Sequence, residues 1–195
     1  HVGSGGVMLT HYSAFKIAEV FSVLEALYPG RIDLGIGRAP GSDQLTAAAL
    51  AYPKQQADVG HFPQQVVDVV GHLSGTIGKE HPFARLTTQP GDQPENMPEI
   101  WLLGSSDYSA RLAAALGMPF SFADFFGHTT EHGPIVTEMY RRQFKPSGYL
   151  SEPKLNVTVQ VMCAESEKQA QFIASSRNLS KLNSMMGQRG GFIPP

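Results

Sequence analysis

Gly104-Ser105-Ser106-Asp107-Tyr108-Ser109 gathers a glycine and three serine hydroxyls where an apolar run, Ile100-Trp101-Leu102-Leu103, gives way to a helical pattern. At such a strand-to-helix junction the first backbone N–H groups of the helix lack intrahelical acceptors and the helix dipole favours negative charge. The segment can therefore cradle a phosphate. The plainer alternative is that the serines only cap the helix. Arg38, at the end of a run in which Ile32, Leu34 and Ile36 alternate at period two, adds a guanidinium. Together these groups suit a dianionic phosphate monoester. Ser4-Gly5-Gly6-Val7 also has two readings: a bulge inside a strand, or bare backbone against which a planar ligand can lie.

Other motifs are incomplete. In Gly35-Ile36-Gly37-Arg38-Ala39-Pro40-Gly41 the third glycine comes one place late and Pro40 intrudes, so the dinucleotide fingerprint is not met. Gly75-Thr76-Ile77-Gly78-Lys79-Glu80 puts Glu80 where a P-loop needs a hydroxyl for magnesium. His128-Thr129-Thr130-Glu131-His132 lacks a glutamate directly after its first histidine and runs into Gly133-Pro134, which argues against a zinc helix. No metal site is read, and no Gly-x-Ser-x-Gly turn supports a hydrolase nucleophile.

The elements that must position these residues alternate. Val2 to Leu9 reads as a strand. Ile17, Val20, Phe21, Leu24, Leu27 and Tyr28 form a helical stripe that Ser13 caps and Pro29-Gly30 stops. Residues 31–36 form the next strand. An alanine-rich helix near Asp43 to Ala51 and a helix with Phe62, Val66, Val69, Val70 and Leu73 on one face then lie in a long excursion that ends in Gly91-Asp92-Gln93-Pro94. Ile100 to Leu103 is a strand, Ser105 to Leu116 a helix closed by Gly117, and Pro119 to Ala123 a strand. Pro134 opens a helix through Phe144, Leu155 to Cys163 alternates as a strand, and Ser166-Glu167 starts a last helix to about Met185.

Five strands each followed by a helix mean an α/β fold with a parallel sheet, whose chemistry sits at the carboxyl ends of the strands. Those ends are Thr10-His11, Gly37-Arg38, Gly104-Ser105-Ser106, Asp124 and Ala164-Glu165. The aromatic end with Phe120, Phe122, Phe125 and Phe126 fits a pocket wall about as well as core packing.

Composition narrows the function classes. Of 195 residues, 42% are hydrophobic and 16% charged, with 15 Lys+Arg against 17 Asp+Glu, which argues against a disordered tail and against nucleic acid as a partner. Cys163 is the single cysteine, so no intramolecular disulfide scaffold is available. With no apolar run of membrane-spanning length and no signal-peptide pattern at residues 1–6, the reading is a soluble cytoplasmic protein without a membrane partner.

Gly3-Ser4-Gly5-Gly6-Val7-Met8-Leu9, then residues 28–43 with Pro29-Gly30-Arg31 and Gly37-Arg38-Ala39-Pro40-Gly41-Ser42-Asp43, then Trp101 to Ser106 and Ala113 to Phe120, resemble the bacterial-luciferase-like flavin monooxygenases, most closely their single-subunit bacterial branch. The resemblance implies a (β/α)8 TIM-barrel type fold and oxygenation of a small organic substrate by reduced FMN and dioxygen. It puts Gly5 and Gly6 at a strand bulge, often with a non-prolyl cis peptide, behind the isoalloxazine ring, and Gly37 where some luciferases carry a cysteine near the flavin. Arg38, Ser105, Ser106 and Ser109 match phosphate-binding positions, with Gly104 in the same cofactor-binding block. A flavin reductase that supplies reduced FMN and a homodimer built on the Ser13 to Leu27 helix are the partners it implies.

The chain also departs from the family pattern. Thr10-His11-Tyr12-Ser13-Ala14 stands where relatives read Pro-Asn-His-Ser-Pro. The match runs from about the third barrel strand to the helix after the seventh, so strands one, two and eight are missing, along with the Glu-His-rich end of strand two. The expectation is one partial barrel domain over 1–195 with an insertion at about 40–98, a central portion inactive alone, and no assigned catalytic residue. Two alternatives stand beside the FMN monooxygenase: a flavin-binding protein without turnover, and an oxidoreductase using the deazaflavin F420 on the same barrel.

Overall fold

The computed structural model describes residues 1–39, 43–52, 59–90, 97–126, 131–188, 190–191 and 193–195. It divides into two compact units, His1–Thr158 and Val159–Pro195. In the first, strands β1 (Val2–Gly3), β2 (Val7–Met8), β3 (Ile32–Gly37), β4 (Glu99–Gly104), β5 (Phe120–Ala123) and β6 (Leu155–Thr158) form one sheet. All its pairings are parallel, in the order β1-β3-β4-β5-β6, with β2 also on β3. Helices α1 (Ala14–Leu27), α2 (Gln44–Ala51), α3 (Phe62–Ser74), α4 (Asp107–Leu116) and α5 (Gly133–Gln143) fall between the strands. The second unit carries α6 (Glu167–Met185), whose N-cap Ser166 accepts from Gln169 N–H at 3.2 Å.

Local chemistry sets these boundaries. Ser13 caps α1 by accepting from Lys16 N–H at 3.2 Å, and Asp43 caps α2 by accepting from Leu45 and Thr46 N–H. Gly75 and Gly117 end α3 and α4 at φ 66° and 61°, in the left-handed region that favours glycine. At Gly117 a Cβ would also fall 2.5 Å from the Lys145 carbonyl oxygen.

Period-two alternation then sorts the strand residues onto two faces. Leu34, Ile36, Ile100, Leu102, Phe120 and Phe122 are buried under the helices, against Ile17, Phe21, Phe62, Val66, Ala110, Ala113 and Tyr140. Asp33, Gly35, Trp101, Leu103, Ser121, Ala123, Asn156 and Thr158 line the opposite, concave face. The register explains the pairing on that face, because Gly35 is level with Trp101, Leu103 with Ser121, and Ser121 with Asn156.

Two expected strands differ in the structure. The run from Val2 to Leu9 is broken into β1 and β2, because four steps from Gly3 to Val7 span only three from Asp33 to Ile36. This is a bulge. The Gly5–Gly6 peptide bond inside it is cis. The alternating run from Leu155 to Cys163 is a strand only to Thr158, since its neighbour β5 ends at Ala123, level with Thr158, and turns into a 3-10 segment at Asp124–Phe126. Ala164 and Glu165 are therefore not at a strand end. Phe120 and Phe122 belong to the core and not to a pocket wall, whereas Phe125 does line the concave face.

Candidate functional site

The carboxyl ends of β2, β3, β4 and β5 carry Thr10-His11, Gly37-Arg38, Gly104-Ser105-Ser106 and Asp124, as parallel strands require. After β2 the chain turns through a 3-10 segment, Leu9–His11, and the Thr10 hydroxyl donates to the Arg38 carbonyl at 3.3 Å. This ties the end of β3 to the bulged strand beside it. The Arg38 guanidinium carbon then lies 3.9 Å from the centroid of the Tyr108 ring, in the first turn of α4. Two strand ends whose residues lie far apart in the chain thus meet at one helix terminus.

The serines at that terminus are placed differently from one another. Ser106 is the N-cap of α4, with extended backbone at φ −133° and ψ 169°, yet its side chain makes no capping hydrogen bond. Ser109 is buried, and its Oγ stands 2.5 Å from where a Cβ on Gly104 would be. A side chain at 104 would displace that hydroxyl. Ser105 is half-buried at the junction itself. Asp107 pairs with Arg111 at 3.3 Å along the helix, and Arg38 makes no ion pair among the described residues.

The glycines fall into two kinds. Gly6 and Gly35 have no room for a side chain, since a Cβ would lie 2.4 Å from Leu103 Cδ1 in the first and 2.0 Å from the Ser4 carbonyl oxygen in the second. Gly5 and Gly37 would meet nothing within 4 Å. They present open backbone. Gly5, Gly35, Leu103 and Phe125 border a concavity of about 270 Å³ whose other walls include Ser121, Asn156 and Thr158. Ser121 and Thr158 hydroxyls are within 3.2 Å of each other there.

Tyr108 is the residue that sequence reasoning missed. Its place directly before Ser109 marks it as part of the helix terminus, but nothing in the spacing pairs it with residue 38. Residues 127–130, with His128, and the segments 40–42 and 91–96 lie outside the described residues. Among the described residues no group of three or more His, Cys, Asp or Glu side chains could hold a metal ion, and no helix is long and apolar enough to cross a membrane.

Comparison with known proteins is consistent with this arrangement. Residues 1–186 match the family model described as luciferase-like monooxygenase. A luciferase-like monooxygenase of Escherichia coli K12 is 42% identical over all 195 residues, and the N-acetyl-S-alkylcysteine monooxygenase of Bacillus subtilis 168 is 38% identical over 93% of the chain. The chain spans 56% and 52% of these relatives, about half their length. The crystal structure of apo-MsnO8 superposes with a TM-score of 0.85 at 35% identity, covering 98% of this chain and 55% of that one. Monooxygenase RslO1 from Streptomyces bottropensis shares the fold at a TM-score of 0.73 and 19% identity, over 95% of this chain and 57% of that one. The parallel strands and helices of residues 1–158 are thus an α/β, (β/α)8-barrel type fold present in part. With a family model matched over nearly its whole length, this chain belongs to the luciferase-like monooxygenases.

Proposed function

We propose that this chain forms the cofactor-holding part of an FMN-dependent monooxygenase that oxygenates a small organic substrate with dioxygen. One observation carries the reading: a guanidinium with no ion-pair partner among the described residues is stacked at a helix N-terminus whose N-cap hydroxyl is not used for capping. Such a cluster favours a phosphate dianion, because charge-assisted hydrogen bonds and the helix dipole add at one point. Arg38, Ser105, Ser106 and Ser109 would hold the FMN phosphate, with Gly104 leaving room for Ser109. Gly5, Gly6 and Gly37 would offer bare backbone to the flavin ring, which fits the open space over Gly5 and Gly37. When bound, reduced flavin would supply the electrons for dioxygen activation, with a partner reductase as its source. The concave face sets Leu103 and Phe125 beside hydroxyls and the Asn156 amide, which would give a substrate apolar contact and polar groups to orient it.

The likeness to the Bacillus subtilis N-acetyl-S-alkylcysteine monooxygenase makes an N-acetyl-S-alkylcysteine the first substrate to try. The test is calorimetric titration of the intact protein with FMN, followed by oxygen uptake with reduced FMN and that substrate. Tight FMN binding with substrate-dependent uptake is the expected outcome. Binding without uptake would favour a flavin carrier, and preference for F420 over FMN would favour hydride transfer on the same barrel. Absence of binding to either cofactor would overturn the reading.

A further inference from the structure

We propose that Tyr108 is a positioning residue that holds the Arg38 guanidinium ready at the N-terminus of α4, so that the site selects a flavin carrying a phosphate over one without it. The inference rests on reading Arg38 and α4 as the phosphate cradle. Arg38 is held at both of its ends. The Thr10 hydroxyl bonds its carbonyl oxygen at 3.3 Å, and the Tyr108 ring carries its guanidinium at 3.9 Å from the ring centroid.

The support is itself firm, because Tyr108 is half-buried and packs against the core while its helix is closed by Gly117. An arginine that swings freely loses rotamer freedom on meeting an anion, and a ring that orders it beforehand removes part of that cost. Stacking uses the face of the guanidinium and leaves its in-plane N–H groups for phosphate oxygens. A lysine ammonium has no such face.

The experiment compares dissociation constants for FMN and riboflavin on the intact protein, since the two ligands differ only in the phosphate. Tyr108→Leu is expected to weaken FMN by about three- to tenfold while riboflavin changes by less than about twofold. Tyr108→Phe, which keeps the ring, should restore the FMN preference, and Tyr108→Leu should have no further effect on the preference once Arg38 is alanine. If Tyr108→Leu leaves the FMN-to-riboflavin ratio unchanged while Arg38→Ala lowers it, Tyr108 is only a packing residue and the proposal is wrong. If Arg38→Ala also leaves the ratio unchanged, the phosphate reading itself has failed. Should Tyr108→Leu lose both ligands through misfolding, Arg38→Lys decides. Native FMN preference in that variant would overturn the proposal, and a lowered preference would support it.

Discussion

The Ser4 hydroxyl accepts from the Gly35 N–H and donates to the Gly35 carbonyl, both at 3.0 Å. One side chain thus replaces the backbone ladder where the bulge pulls β1 and β2 away from β3. Ser4→Ala strands both Gly35 groups, at an expected cost of about 1–3 kcal/mol in unfolding free energy. Gly35→Ala should cost more, because its Cβ would stand 2.0 Å from the Ser4 carbonyl oxygen and 3.0 Å from Leu103 Cδ1, and the backbone cannot yield cheaply. Urea denaturation of the two variants checks both. A Ser4→Ala midpoint equal to wild type would show that the hydroxyl bridge contributes nothing.

Ser106 separates ligand binding from helix stability. Its side chain makes no capping bond, whereas Ser13 accepts from Lys16 N–H at 3.2 Å. Ser13→Ala should therefore lower stability by about 1 kcal/mol and leave FMN affinity alone. Ser106→Ala should do the reverse, and together with Arg38→Ala it should weaken FMN by about 2–4 kcal/mol. Thermal melts and FMN titrations on the same samples provide the check. If Ser106→Ala destabilised the fold as Ser13→Ala does, the serine would be an ordinary cap.

Legibility followed the range of the interaction. The Ser13 and Gly117 helix ends are readable because their causes are local, each acting within a turn of its own position, whereas the Gly75 stop of α3 carries no comparable signal among its neighbouring glycines. Alternation at Ile32, Leu34 and Ile36 revealed β3 and its two faces for the same reason. The end of β6 was not readable, since Val159 and Val161 continue the pattern and only the length of the neighbouring β5 stops the pairing at Thr158. Paired glycines at 5 and 6 allowed a bulge, but Ser4 bonding across to Gly35 is visible only when the strands are side by side. Strand order and the family resemblance both group Arg38 with the start of α4. The stacking on Tyr108 that joins them exists only once β3 and β4 lie side by side.

Acid sensitivity should centre on His72. It is buried at the end of α3, edge-on to Phe15 of α1 at 5.0 Å, with His81 at 6.1 Å and its Nδ1 without a hydrogen-bond partner among the described residues. Burial first, and then His81, lower its pKa below the ordinary 6.5, while Asp68, which pairs with His81 at 3.5 Å, acts in the opposite direction. The unfolded chain then binds the proton more readily than the folded one, so stability falls as pH drops from 6.5 toward the folded pKa and levels off below it. His72→Phe should flatten that part of a stability-against-pH curve. An unchanged slope in the variant would assign the acid limb to other groups.

Tyr140 joins the starts of two strands through one phenol. Its ring is fully buried, and its hydroxyl lies 2.8 Å from the Met118 carbonyl, just before β5, and 3.1 Å from both the N–H and carbonyl of Lys154, just before β6. With a single proton, the phenol donates to one carbonyl at a time while accepting from Lys154 N–H. Tyr140→Phe keeps the ring that packs on Phe120 at 5.5 Å and removes only these bonds, so the buried Met118 carbonyl and the Lys154 N–H lose this partner while the Lys154 carbonyl keeps the Phe120 N–H at 3.0 Å. The expected loss is about 2–3 kcal/mol, read from denaturant unfolding. Burial raises the phenol pKa above 10, against a smaller lowering by the Lys154 backbone. The unfolded chain therefore gives up this proton first, and wild type should lose stability as pH rises above 10. Subtracting the Tyr140→Phe curve from the wild-type curve isolates that loss. A difference that stays constant across the alkaline range would mean that the phenol ionises equally easily in both states and would overturn this prediction.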